Sequence, residues 1–135
     1  ENFSNQDTFS DRLIFFLFHF GFFLMVFKKN TEKEILQEIY DYNFKQLELS
    51  IREMGYGDVA INKKMKTYLN IFHAILDKID NWENLSDFEK SKILSNFLNI
   101  NEVKSNLIDY FNKYLLNLSN NTLNYYIKGV IKHKF

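Results

Sequence analysis

The side chains able to ligate a metal or exchange a proton are few and scattered. Histidines stand at 19, 73 and 133, and no cysteine is present. A metal held by local sequence needs ligands about one helical turn apart, as in H-E-x-x-H, and these three lie far apart. Only a fold could bring two of them together, for instance around a haem. For His19 and His73 that reading competes with an imidazole satisfied inside a packed core. His133 falls in a tail expected to be exposed. Glu48 and Glu53 are spaced like carboxylates on a solvated helix face, and nothing in their spacing favours acid–base work. A Gly-rich phosphate loop and a G-x-S-x-G elbow are also missing. No enzyme motif is therefore recognisable, no metal site is spaced locally, and no resident cofactor is expected.

Charge narrows the partners. Lys plus Arg (17) balance Asp plus Glu (17), so no global field draws the chain to nucleic acid or to an acidic membrane. Any basic surface must be local, and Lys63, Lys64 and Lys66 are the candidate. If Asn62 caps a helix there, these lysines crowd its first turn, where the dipole disfavours cations by about 0.3–1 kcal/mol each. Such a placement suggests that they face phosphate, from ribosomal RNA or anionic lipid. A solvated lysine cluster is the plainer reading.

The elements that position these residues are helical. Zero prolines, four glycines and 18 % aromatics leave few breakers and many bulky packing units, as a single all-α domain requires. The first element is LIFFLFHFGFFLMVF, Leu13 to Phe27, interrupted only by His19 and Gly21. Fifteen helical residues reach about 22 Å, short of the roughly 30 Å hydrocarbon core. A signal peptide is disfavoured by the acidic, polar NQDTFSD before the run and by KKNTEKE after it. With apolar residues on every side, the helix must be covered all round. It reads as the axis of a bundle, or as an axis with one part covered only by a client. Gly21 costs up to about 1 kcal/mol inside a helix, which suggests another backbone passing close.

Four more helices follow by periodicity. Thr31 and Glu34 form a T-x-x-E capping box before a stripe of Leu36, Ile39, Tyr40, Phe44, Leu47, Ile51 and Met54 that ends at Gly55. A third helix runs from about Asn62 to Asn81, with Ile61, Met65, Leu69, Phe72, Ile75, Leu76 and Ile79 inward and Trp82 plugging its end. Ser86 and Glu89 cap a short fourth helix carrying Phe88, Leu94 and Phe97. Asn101 caps a fifth, striped by Val103, Leu107, Tyr110, Phe111, Tyr114, Leu115 and Leu118 and closed by the SNN at 119–121. The tail LNYYIKGVIKHKF is read as a short helical turn and then, after Gly129, an extended strip.

The most specific stretch is SIREMGYGDVAINKKMK, Ser50 to Lys66. It closely resembles the signature of the ubiquinol-cytochrome c chaperone family, an L-R-E-M-G-x-G-D turn followed by a basic helix start. The matching residues are Arg52, Glu53, Met54, Gly55, Gly57 and Asp58, with Lys63 and Lys64 in the basic positions. The resemblance extends from about Asp11 to Asp80 and reappears in IKGVIKHKF; Gly21 departs from it where many relatives carry a large residue, and Gln46 where an acid is common.

The resemblance implies an all-α, non-enzymatic assembly factor for respiratory complex III that binds newly made cytochrome b. Its partners would be cytochrome b or complex III subunits, a small partner protein, and the ribosome or an anionic membrane surface, but not DNA. It would lie in the cytoplasm, peripheral to the inner membrane of a bacterium, or on the matrix side of the mitochondrial inner membrane. Phe16, His19, Phe20 and Phe23 are the candidate client surface. Within the motif, the glycines serve the turn, Asp58 caps it, and Arg52 and Glu53 either stabilise the helix end or meet a partner. A haem-binding helical protein and a permanent accessory subunit of a membrane respiratory complex are the alternatives.

Overall fold

The computed structural model describes residues 5–100, 105–121 and 123. Among them the fold is all-α in one domain: α1 (Asn5–Phe27), α2 (Lys33–Glu53), α3 (Asp58–Ile79), α4 (Asp87–Leu98) and α5 (Ser105–Ser119), with a single 3-10 turn at Trp82–Asn84 between α3 and α4. Asn101, Val103, Gly129 and His133, with the readings attached to them, lie outside the described residues.

The Phe-rich run is the central element. α1 packs most extensively on α3 and also on α5 and α4, while α2 leans on α3. Contacts climb together along α1 and α3, from Ser10–Tyr68 through Phe20–Phe72 to Lys28–Asp80, so the two helices run parallel. Leu17, Phe18 and Phe22 are fully buried, and Phe18 and Phe22 meet Phe97, Phe111 and Trp82. Because α1 begins before the apolar run, its Phe9–Phe27 portion is 19 residues with a mean hydropathy of 1.6, long and apolar enough to cross a membrane by those two measures. The fifteen-residue estimate of its length is corrected accordingly. Cover of the Leu13–Phe27 run is incomplete at Phe16, which remains 40 % exposed, while the other residues of the run are buried or partly buried.

At Gly21 the close neighbour is the side-chain layer of α3 rather than another backbone. An added Cβ would stand 3.1 Å from Ile79 Cδ1, 3.5 Å from Ile75 Cγ2 and 3.6 Å from Leu76 Cδ2.

Helix ends follow local chemistry in part. The Ser86–Glu89 box forms in both directions, and Asn99 closes α4 in the left-handed region at φ 55°. The Thr31–Glu34 box does not form: the turn out of α1, with Lys28 N–H donating to Leu24 O and Asn30 N–H to Phe27 O, delays the first helical residue to Lys33, and Glu32 occupies the cap position without a side-chain bond. Two residues expected inside are outside. Phe88 is 76 % exposed in the first turn of α4, and Met54 is 46 % exposed as the C-cap of α2. Tyr110 also leaves the core stripe of α5, whose buried face is Ile108, Phe111, Leu115 and Leu118.

Candidate functional site

The signature residues form the hairpin between α2 and α3. Gly55, at φ 96°, takes the left-handed position past the end of α2, and its N–H donates to Arg52 O. Gly57 differs: at φ −77° and ψ 168° it is extended backbone that any residue adopts, with open space where a Cβ would point. The glycine requirement of the turn therefore holds at Gly55 and not at Gly57. Asp58 is the first residue of α3, where the dipole favours a carboxylate, and it accepts from Arg52 Nη1 at 2.7 Å across the turn. That bond raises the Arg52 guanidinium above its ordinary range. Glu48, 3.8 Å from Arg52 and 3.0 Å from Lys45, completes a surface network, and Glu53 is exposed beside it.

α3 starts four residues before Asn62, so Asn62 caps nothing. Lys63, Lys64 and Lys66 lie beyond the first turn of α3, where the dipole penalty has faded. The helix dipole therefore gives these lysines no reason to face an anionic partner. Lys64 Nζ sits 4.5 Å above the Tyr56 ring, and none of the three lysines is within 4 Å of a carboxylate among the described residues.

The proposed client surface divides. Phe16 is open and Phe23 is half-buried, while Phe20 is buried beneath α2 and α3, with its ring 5.3 Å from Phe72 and 6.2 Å from Phe44. Phe20 is therefore core. His19 turns toward α5. Its Nδ1 donates to Phe15 O at 2.8 Å, because a carbonyl can only accept, so Nε2 accepts from the Tyr110 hydroxyl. The rings of Phe15, Tyr110, Phe111 and Tyr114 surround it, and burial lowers its pKa below the usual 6.5. Ligating a metal through either nitrogen would break a hydrogen bond. His73 is exposed rather than a core imidazole, and it meets the Tyr40 hydroxyl at 3.3 Å on the α2 side of α3. The fold thus sends His19 and His73 to different helices. Among the described residues no three His, Asp or Glu side chains group as a metal site.

One polar cluster escaped the sequence reading. Lys90 is only 7 % exposed. Its Nζ donates to Asn112 Oδ1 at 3.1 Å, and the same oxygen accepts from Trp82 Nε1 at 2.9 Å. The ammonium also lies 5.4 Å from the Trp82 ring centre. The four-residue step from Lys90 to the buried Leu94 was the available signal, since it places Lys90 on the inner face of α4.

The described residues thus form an all-helical fold in which no three His, Asp or Glu side chains group as a metal site. The model of the ubiquinol-cytochrome C chaperone family matches residues 1–131, and the chain belongs to that family. No curated protein and no solved structure matches it significantly.

Proposed function

We infer that this chaperone serves respiratory complex III by binding newly made cytochrome b before assembly, and that it acts by sheltering apolar surface rather than by catalysing a reaction. One observation supports the reading beside family membership: Phe16 stays 40 % exposed on α1, so the helix that organises the core presents an aromatic edge there. Such an edge suits one apolar helix of a membrane-protein client, laid against α1 by side-chain packing. Tyr110, exposed beside Phe15 and His19, supplies an aromatic flank with a polar tip. On this reading the protein works peripherally at the inner membrane, on the cytoplasmic side in a bacterium or on the matrix side in a mitochondrion.

The test is affinity purification of the tagged chain from mildly solubilised native membranes, with mass spectrometry against mature complex III. Enrichment of cytochrome b without the finished complex is the expected result. Stoichiometric recovery inside the finished complex would make the protein a permanent subunit, and absence of cytochrome b would overturn the assignment.

A further inference from the structure

The tip of the α2–α3 hairpin combines two features that a merely structural turn does not need. The first is apolar exposure. Val59, in the first turn of α3, is 85 % exposed, the most of any large apolar residue among those described, and Met54 across the turn is 46 % exposed. The second is uncompensated positive charge. Lys63 and Lys66 follow Val59 at four and seven residues, hence on the same helix face, and Lys64 reaches over Tyr56. Of the carboxylates near the tip, Asp58 and Glu48 are engaged by Arg52 and Glu53 is exposed, while Asp41 and Glu48 line one groove with Lys66 without pairing with it. Residues 52–66 thus carry four cations, Arg52, Lys63, Lys64 and Lys66, against two carboxylates, Glu53 and Asp58, in a chain whose overall charge is zero.

We propose that this tip is a membrane-docking device: Met54 and Val59 enter the boundary between headgroups and acyl chains of an anionic bilayer, while Lys63, Lys64 and Lys66 lie among its headgroups. The two features need each other. Exposed apolar side chains alone would not select a charged surface, and lysines alone would bind any polyanion; a bilayer with acidic headgroups offers both complements within one depth. The long lysine stems let the ammonium groups stay at the headgroups while the apolar tip goes deeper. Docking in this way would hold the client edge of α1 beside the membrane from which cytochrome b is received. The inference rests on the proposed client only for that purpose; its physical basis is the tip itself.

The experiment is co-sedimentation of the full chain with vesicles of phosphatidylcholine, with and without phosphatidylglycerol, across a salt series. It requires no client, so its outcome is independent of whether cytochrome b is the cargo. The wild type is expected to bind the anionic vesicles and to release with salt. Replacing all three lysines by glutamine removes about one kcal/mol of surface attraction per residue, a loss of roughly a hundredfold in partition coefficient. Val59→Asp is expected to weaken binding about tenfold or more while leaving the fold intact, because an acidic residue in a first helical turn is favourable. Equal partition of the wild type into both vesicle types would overturn the proposal. So would an unchanged Val59→Asp variant alongside lysine-dependent binding to a labelled RNA, which would make the face a nucleic-acid contact.

Discussion

Asn112 is the single polar residue on which two buried donors depend, and its removal gives the sharpest test of the packing described above. Asn112→Ala would leave the Trp82 indole N–H and the Lys90 ammonium without their acceptor. An unsatisfied neutral donor costs about 1–3 kcal/mol, and more is expected when the stranded group is charged. Partial exposure of Asn112 admits some water, so we expect a loss of about 2–4 kcal/mol in total. Lys90→Met removes the buried cation along with its need, and should be nearly neutral. In the Asn112→Ala/Lys90→Met double variant only the indole is stranded, so the loss should shrink to about 1–2 kcal/mol. The sole tryptophan of the chain is Trp82, so urea unfolding followed by its fluorescence, checked against far-UV circular dichroism, reads the relevant region directly. A loss below about 0.5 kcal/mol in Asn112→Ala, or simple additivity in the double variant, would refute the shared-acceptor argument.

Three further outcomes are expected. Gly55→Ala should cost about 1–2 kcal/mol in urea unfolding because its φ of 96° strains any side chain, whereas Gly57→Ala should leave stability within about 0.5 kcal/mol; loss of cytochrome b recovery in a stable Gly57→Ala variant would mark a contact at that position. Ser86→Ala should destabilise by about 1 kcal/mol and Thr31→Ala hardly at all, since only the first of the two capping boxes forms; equal effects in chemical denaturation would contradict this. His19 has a depressed pKa in the folded state, so its contribution to stability is present above the unfolded value near 6.5 and is lost as pH falls through the folded one. The urea midpoint of the wild type should therefore drop more between neutral and mildly acid pH than that of His19→Gln, and parallel curves would remove the argument.

The family signature was legible because a turn is written in adjacent residues. Arg52, Gly55 and Asp58 act within six positions of one another, and the Ser86–Glu89 box closes within three. The start of α3 was missed for the same reason in reverse: Gly57 caps through its backbone, so no side chain announces it, and the more conspicuous Asn62 drew the boundary inward. That shift mattered, because the first-turn argument for Lys63, Lys64 and Lys66 depended on it.

By itself the sequence determined the helical class, the apolar central helix, the αL turn at Gly55 and the family, all of which rest on residue type and on spacing within a few turns. Only the tertiary structure decided which phenylalanines of α1 are core. Phe16 and Phe20 are chemically identical and one turn apart, yet Phe20 lies under Phe44 and Phe72 while Phe16 stays open. The same holds for Lys90, buried because Trp82 and Asn112 arrive from other elements, and for Gly21, fitted to the side chains of Ile75, Leu76 and Ile79. The physical reason is that burial is a property of the assembled contact surface: an apolar pattern states what a residue prefers, and distant segments of chain decide whether that preference is met.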